Sequence, residues 1–215
     1  MKKIVILGTG GNCIDILDTI NEINQVKKQY DCIGFLDDSP QQYGKSYFGV
    51  KVIGTLTQAN LFEDAFFVNG IGSSNNFKKK ESIIKKTGLA LQRFETIIHP
   101  TASVSKFSKL GFGCVILQQV TIASNVTLGN HVIILPNSII SHDGVIGDYT
   151  CITGGVCISG GVRIGKSCYI GTNSAIRNNI TIGNHCLIGM GSNVLSDVDA
   201  DSVVFGNPAT LQRKT

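Results

Sequence analysis

The chain is expected to be an α/β protein in two parts: a Rossmann-like β-α-β domain, then a parallel β-helix. Three observations predict this. One residue class recurs every six positions from Val104 onward. Before residue 100 the pattern changes to an apolar run, a glycine turn, an amphipathic helical stretch and a second apolar run. Composition agrees, with 25 glycines and only 16% charged residues, which suits tight turns around a continuous apolar interior.

The six-residue period sets the larger part. Its anchors are Val104, Leu110, Ile116, Ile122, Leu128, Ile134, Ile140, Ile146, Ile152, Ile158, Ile164, Ile170, Ile176, Ile182, Ile188 and Val194. A second series follows four residues behind, with Cys114, Val120, Val126, Val132, Ser138, Gly144, Thr150, Val156, Val162, Cys168, Ser174, Ile180 and Cys186. A period of six fits neither a helix nor a lone amphipathic strand, but it fits a coil in which each hexad is one flat side. Three sides close a coil, so the array makes about five coils, roughly 25 Å tall at the spacing of stacked strands. Cys114, Cys168 and Cys186 then read as small apolar fillers.

In the first part, Ile4–Leu7 reads as a buried strand ending at Gly8-Thr9-Gly10-Gly11. Asp15 to Lys28 carries Ile16, Leu17, Ile20, Ile23 and Val26 at helical spacing. Cys32–Leu36 is a second strand, ending in Asp37-Asp38, and Phe66–Val68 a third, followed by Gly70-Ile71-Gly72-Ser73. Lys78–Lys86 is helical, and Lys78-Lys79-Lys80 reads as a solvated face. The boundary is expected near His99-Pro100, giving domains 1–99 and 100–215.

The net charge of +4 is weak and scattered, which argues against a nucleic-acid partner. No apolar run reaches membrane length, so no membrane insertion is expected, and the short run after Met1-Lys2-Lys3 is no signal peptide. The seven cysteines include no C-x-x-C pair, which suggests reduced thiols in a cytoplasmic protein.

A glycine turn between strand and helix can cradle phosphate on backbone N–H groups. The dinucleotide fingerprint lacks its third glycine, because Cys13 stands there, so a single nucleotide is the better match. Asp37 and Asp38 lie where ligands of open α/β sheets bind, although either could be a turn cap. Among four histidines, His131 and His185 sit in near-identical Gly-Asn-His turns and read as exposed corners, and His99 lies in the linker. His142 has a different phase and is followed by Asp143. An imidazole oriented by a carboxylate can take a proton from a nucleophile near neutral pH. With its interior filled, a β-helix must do chemistry on its outer surface, in grooves between subunits.

Together these residues resemble the NeuD/PglD-like family of bacterial sugar acyltransferases. The likeness runs over essentially the whole chain. It is carried by the opening Ile-Leu-Gly-Thr-Gly-Gly, Gly34-Phe35-Leu36-Asp37-Asp38, Gly70-Ile71-Gly72, Ile98-His99-Pro100-Thr101-Ala102, the hexads, His142-Asp143 with Val145-Ile146-Gly147-Asp148, and Phe205-Gly206-Asn207-Pro208-Ala209. The resemblance implies a left-handed coil, a homotrimer, and acetyl-CoA as cosubstrate with no metal. It implies His142 as the base, Asp143 as its orienter and the Gly160 N–H as an oxyanion donor. Gly171, Thr172, Met190, Gly191, Gly206, Asn207 and Pro208 would line the CoA groove. Gly8, Gly10, Gly11, Asn12, Asp37, Asp38, Gly72 and Ser73 would hold a UDP-, dTDP- or GDP-linked amino sugar. The implied activity is N-acetylation of a nucleotide-linked amino or dideoxy sugar for bacterial surface glycan or glycoprotein synthesis. Three positions depart from the family pattern: Asn12 stands where a His is common, Leu135 where an Asn is common, and Cys151 in place of a second histidine. The alternatives are O-acetylation of sialic acid or another sugar hydroxyl, a γ-carbonic-anhydrase-like metalloenzyme, and a non-catalytic β-helix scaffold.

Overall fold

The computed structural model describes residues 1–215. The first domain has strands β1 (Lys2–Leu7), β2 (Tyr30–Leu36), β3 (Ser46–Tyr47), β4 (Val50–Gly54) and β5 (Ala65–Asn69), with helices α1 (Gly11–Val26) and α2 (Lys80–Lys85). The sheet order is β3-β4-β2-β1-β5. It is parallel except for β3, which turns back antiparallel on β4 at the edge. The sheet is thus wider than a bare β-α-β unit, because the β3–β4 hairpin extends it past β2. Helix α1 also begins earlier than its apolar periodicity suggests, directly after an extended Gly10 at the N-cap.

The second domain is a left-handed parallel β-helix. Each hexad is a two-residue strand whose second residue is the anchor, pairing with the strand 18 residues away. The anchors point inward and are buried, except for half-buried Val104 and Leu110 at the open end. The series four residues behind them is buried throughout. Each Ile or Val taken from water contributes about 1.5–3 kcal/mol, so the stacked column is the main source of stability. The third residue after an anchor makes the corner: from Gly113 to Gly191 every sixth residue has positive φ. Gly, Asn and Asp accept that left-handed backbone at least cost, and they fill most of these corners.

The coil has three faces. The first runs from Ile97–Ile98 through Val115–Ile116, Ile133–Ile134, Cys151–Ile152, Tyr169–Ile170 and Leu187–Ile188 to the hairpin Ser202–Gly206/Ala209–Lys214. The second runs from Ser103–Val104 to Asn193–Val194, and the third from Lys109–Leu110 to Thr181–Ile182. The outward residues of the first face are apolar, and Ile97, Val115, Ile133 and Cys151 are fully buried. They share one core cluster with Ile16, Leu17 and Ile20 of α1. The first domain therefore seats on the first face, and strand pairing begins at Ile97, ahead of the expected boundary at 99/100.

Polar contacts lock this seam. His99 is no linker residue: it is buried, with Nε2 donating to Glu22 at 2.7 Å, while its Nδ1 accepts the Thr101 N–H at 3.0 Å. Lys80, expected on a solvated face, is fully buried and donates to the His131 carbonyl at 2.7 Å. His131 is not an exposed corner either. It is 1% exposed, stacked on Tyr149 with Phe94 edge-on. His185 has the same local sequence three coils on but remains half-exposed, because that level lacks the aromatic cover.

Burial pushes the Lys80 ammonium down to about 8 and the His131 imidazole down to about 4. Both shifts disfavour the charged form in the folded state. The unfolded chain binds the extra proton between pH 4 and 6.5 through His131, and between pH 8 and 10.5 through Lys80. Each of these two groups alone therefore adds stability as pH rises through its window, on the order of 3 kcal/mol for Lys80. Above pH 8 the Cys13, Cys32 and Cys114 thiols, held protonated in the fold by burial, act in the opposite direction. Urea melts from pH 7 to 10.5 check the second window: the stability of Lys80→Met relative to the native protein should fall as pH rises. Parallel profiles for the two proteins would contradict it.

Candidate active site

His142 stands two residues after anchor Ile140, at the corner between the second and third faces. Asp143 takes the left-handed corner position with φ 61°. One coil below, Asn125 Nδ2 donates to Asp143 Oδ1 at 2.6 Å, and His142 Nδ1 meets Oδ2 at 2.7 Å. The His142 hydrogen bond, then that from Asn125, holds the Asp143 carboxyl below the usual carboxylate range. An ionised carboxylate can only accept, so Nδ1 carries the proton and Nε2 is left as the acceptor. The ring is open to an incoming group, with 63% of the side chain exposed.

One coil above His142 is Gly160. A Cβ there would lie 2.5 Å from His142 Cε1 and 2.6 Å from Nε2, so only glycine leaves the imidazole its place. The Gly160 N–H donates to no group of the chain. A proton acceptor and a free backbone donor therefore share one corner, the pairing that acyl transfer through an oxyanion requires.

The second cluster lies on the first domain. Gly8, Gly10, Gly11, Asn12, Asp37, Asp38, Gly72 and Ser73 all line one cavity of about 660 Å³. Gly8 has φ +94°, which turns the chain from β1 towards α1. A Cβ at Gly10 or Gly11 would meet nothing within 4 Å, so packing does not require glycine there and open space is left above the start of α1. The place of a third glycine is filled by Cys13, whose sulfur is accommodated by Gly70: a Cβ at Gly70 would lie 2.5 Å from it. Asp37 Oδ2 accepts from Thr9 Oγ1 at 2.7 Å and Oδ1 from the Ser39 N–H at 2.8 Å. Asp38 Oδ1 accepts from the Leu56 N–H at 3.0 Å and Oδ2 from Lys86 Nζ at 2.8 Å. Partial burial disfavours the Asp38 charge, but these two hydrogen bonds outweigh it and hold the group below its ordinary value. Asn12 Nδ2 donates to the Gly72 carbonyl and ties the glycine turn to the loop after β5.

Sequence reasoning missed several lining residues, among them Lys86 and Tyr169. Lys86 was hidden in a lysine-rich helical stretch. Tyr169 had a readable signal, since it belongs to the 18-residue series of apolar outward residues on the first face.

The residues expected to line one CoA groove are divided. Gly160 adjoins His142, whereas Thr172 and Met190 are stacked at the corner between the first and second faces. Gly206, Asn207 and Pro208 form the hairpin turn at the end of the first face. Cys151 is fully buried under the first domain, away from His142. No three His, Cys, Asp or Glu side chains gather to hold a metal ion. No helix is long and apolar enough to cross a membrane.

The three-sided coil is a hexapeptide-repeat β-helix, and it carries an imidazole–carboxylate pair beside a free amide. Residues 3–86 match the PglD N-terminal domain, and residues 161–196 match the bacterial transferase hexapeptide, six repeats. The first domain is thus similar to PglD-type N-terminal domains, and the coil to bacterial hexapeptide transferases. It is 30% identical over 119 residues to UDP-N-acetylbacillosamine N-acetyltransferase of Bacillus subtilis (strain 168), a match covering 54% of this chain and 52% of that protein. The chain thus spans about half the length of that curated relative. The acetyltransferase domain of PglB from Neisseria gonorrhoeae FA1090, solved with acetyl coenzyme A, superposes with TM-score 0.86 at 26% identity, covering 98% of this chain and 99% of that one. PerB from Caulobacter crescentus, solved with CoA and GDP-perosamine, shares the fold with TM-score 0.85 at 22% identity, covering 99% and 98%.

Proposed function

We propose that this protein is an acetyl-CoA-dependent N-acetyltransferase acting on the amino group of a nucleotide-linked amino sugar, in the cytoplasm, for bacterial surface glycan or glycoprotein synthesis. The His142–Asp143 pair beside the free Gly160 N–H carries the reading, and the cavity above α1 supplies the acceptor site. The relatives support it, since they are named as N-acetyltransferases or hold acetyl-CoA, or CoA with a GDP-sugar.

His142 Nε2 takes a proton from the sugar ammonium or from the amine as it attacks. The amine nitrogen bonds to the thioester carbonyl carbon, and the oxyanion receives the Gly160 N–H. Collapse breaks the carbon–sulfur bond, and the imidazolium returns its proton to the leaving CoA thiolate. The attack needs no metal.

The site is shared between subunits of a homotrimer. In one chain the acceptor cavity opens beside the first face, whereas His142 occupies the opposite vertex of the prism. The expected CoA residues also lie on two corners. Three prisms around an axis would bring one chain's His142 corner to its neighbour's Thr172–Met190 corner, and a closed cyclic assembly is the ordinary solution.

Subunit mixing tests both claims. Asp37→Ala should raise KM for the nucleotide-sugar and leave that for acetyl-CoA nearly unchanged. His142→Ala should lose turnover. Co-refolded at low acceptor concentration, the two inactive proteins should regain activity, because mixed trimers contain some intact sites. No regain would place each complete site within one chain. No acetyl transfer to any nucleotide amino sugar by the native protein would sink the activity itself.

A further inference from the structure

We propose that Asn125 is a positioning residue of the reaction: from one coil below it pins the Asp143 carboxylate, and through that carboxylate it sets the tautomer and place of the His142 ring. The inference deepens the acyl-transfer reading of this corner and rests on it for its kinetic consequences.

A base in this place must meet two demands. The neutral imidazole has to keep its proton on Nδ1, because Nε2 must be free to take one. A free neutral imidazole prefers the other tautomer, with the proton on Nε2. Asp143 therefore has to hold Nδ1–H, and it has to do so on the open surface. The two side chains are 63% and 53% exposed, and no other side chain bonds to the ring. An exposed aspartate has several rotamers, and water competes for both of its oxygens. The adjacent pair alone is weakly held.

Asn125 removes that freedom. The strands on either side of the corner pair at a step of 18 residues, so Asn125 lies under Asp143. Both residues take the left-handed corner backbone, φ 59° and 61°, and the Asp143 N–H donates to the Ser124 carbonyl at 3.2 Å. Asn125 Nδ2 then donates to Oδ1 at 2.6 Å, while Oδ2 meets His142 Nδ1 at 2.7 Å. The direction of the Asn125 contact is fixed chemically. An ionised carboxylate only accepts, so the amide must present its NH2 and not its carbonyl. With one oxygen held by each neighbour, the plane of the carboxylate is set. The amide is also neutral. It orients Asp143 without cancelling the charge that stabilises the imidazolium, which a lysine or arginine in its place would do.

Two measurements test the assignment, both with Asn125→Gly. Gly113, Gly155, Gly161 and Gly191 already occupy left-handed corners of this prism, so the variant deletes the side chain without straining the fold. The first is 15N NMR of the histidine-labelled full chain at pH 8.5, about two units above the ordinary imidazole pKa. Loss of signals in His142→Ala identifies the ring. The native ring should show the Nδ1–H tautomer, and Asn125→Gly should move it towards the Nε2–H form. The second is a double-mutant cycle with Asp143→Ala. Asn125→Gly should lower kcat about tenfold, the scale on which outer partners of metal-bound histidines act, and change KM for either substrate less than twofold. In the Asp143→Ala background it should lower kcat no further, because a residue acting only through Asp143 then has nothing to hold. Equal losses in both backgrounds would overturn the proposal, as would a raised acceptor KM with kcat kept, because Asn125 would then touch the substrate itself. An unchanged His142 tautomer in Asn125→Gly would also overturn it. The NMR result needs no substrate. A shifted tautomer in a protein that acetylates no nucleotide amino sugar would uphold the pinning and sink the proposed activity.

Discussion

Replacing His142 with alanine should lower kcat by about 10²–10⁴-fold, the usual contribution of a general base. The variant should fold normally, because the side chain is mostly exposed and bonds only to Asp143. Asp143→Asn should cost less. It removes the charge and weakens the tautomer preference but leaves a basic imidazole in place. His185→Ala should leave turnover unchanged, since that ring sits on a different corner, near Asp201. The defect of His142→Ala should also shrink as pH rises towards the amine's own pKa, because solvent then removes the proton that the enzyme would have taken. Steady-state kinetics between pH 6.5 and 9 decide it. Near-native kcat at pH 7 would mean that another group is the base.

A second large effect should come from one methyl group. Gly160→Ala puts a Cβ where the His142 ring now lies, 2.5–2.6 Å from Cε1 and Nε2. The Gly160 backbone is not in the left-handed region, so alanine adds no backbone strain. The exposed imidazole can swing outward, so stability should change by no more than about 0.5 kcal/mol, as at other surface positions. Turnover should nevertheless fall by about 10–100-fold, because a displacement near 1 Å at a reacting group is costly. The amide donor is retained, so the loss would report the position of the base alone. Native kcat with an unshifted melting temperature would show that the ring does not work from the place it occupies here.

These two neighbours differ in how far the sequence reveals them. His142 was legible because its phase departs from the corner residues. The fit of Gly160 to the ring was not, because it depends on vertical stacking between coils rather than on local pattern. The repeat of the coil was legible, because a period of six is a local regularity and each anchor and corner repeats one geometric demand, but its left hand came only from the family resemblance. The domain seam was less so. Ile97, Val115, Ile133 and Cys151 do announce a covered face, but only when read at a spacing of 18 against polar Lys109, Thr127 and Arg163 on the third face. Lys80 and His131 were misread for one reason. Their burial comes from a remote element laid over them, and neither a lysine run nor a Gly-Asn-His turn carries any trace of that cover. The β3–β4 hairpin escaped because short edge strands have too few residues to show alternation.

The unbroken run of anchors from Val104 to Val194 also restricts how such a chain can change in length. Removing one residue from the array moves every later side chain out of phase, so interior isoleucines would face solvent and left-handed corners would fall on β-branched residues. Removing six keeps inward and outward intact but rotates the remainder of the prism by one face, carrying the apolar stripe of Tyr169 and Leu187 away from the domain that covers it. Only a step of 18 preserves phase, face and cover together. Natural insertions and deletions in this half of the molecule should therefore come as whole coils, or as loops that leave and rejoin the prism at a single corner. Engineered ones should tolerate only the same lengths.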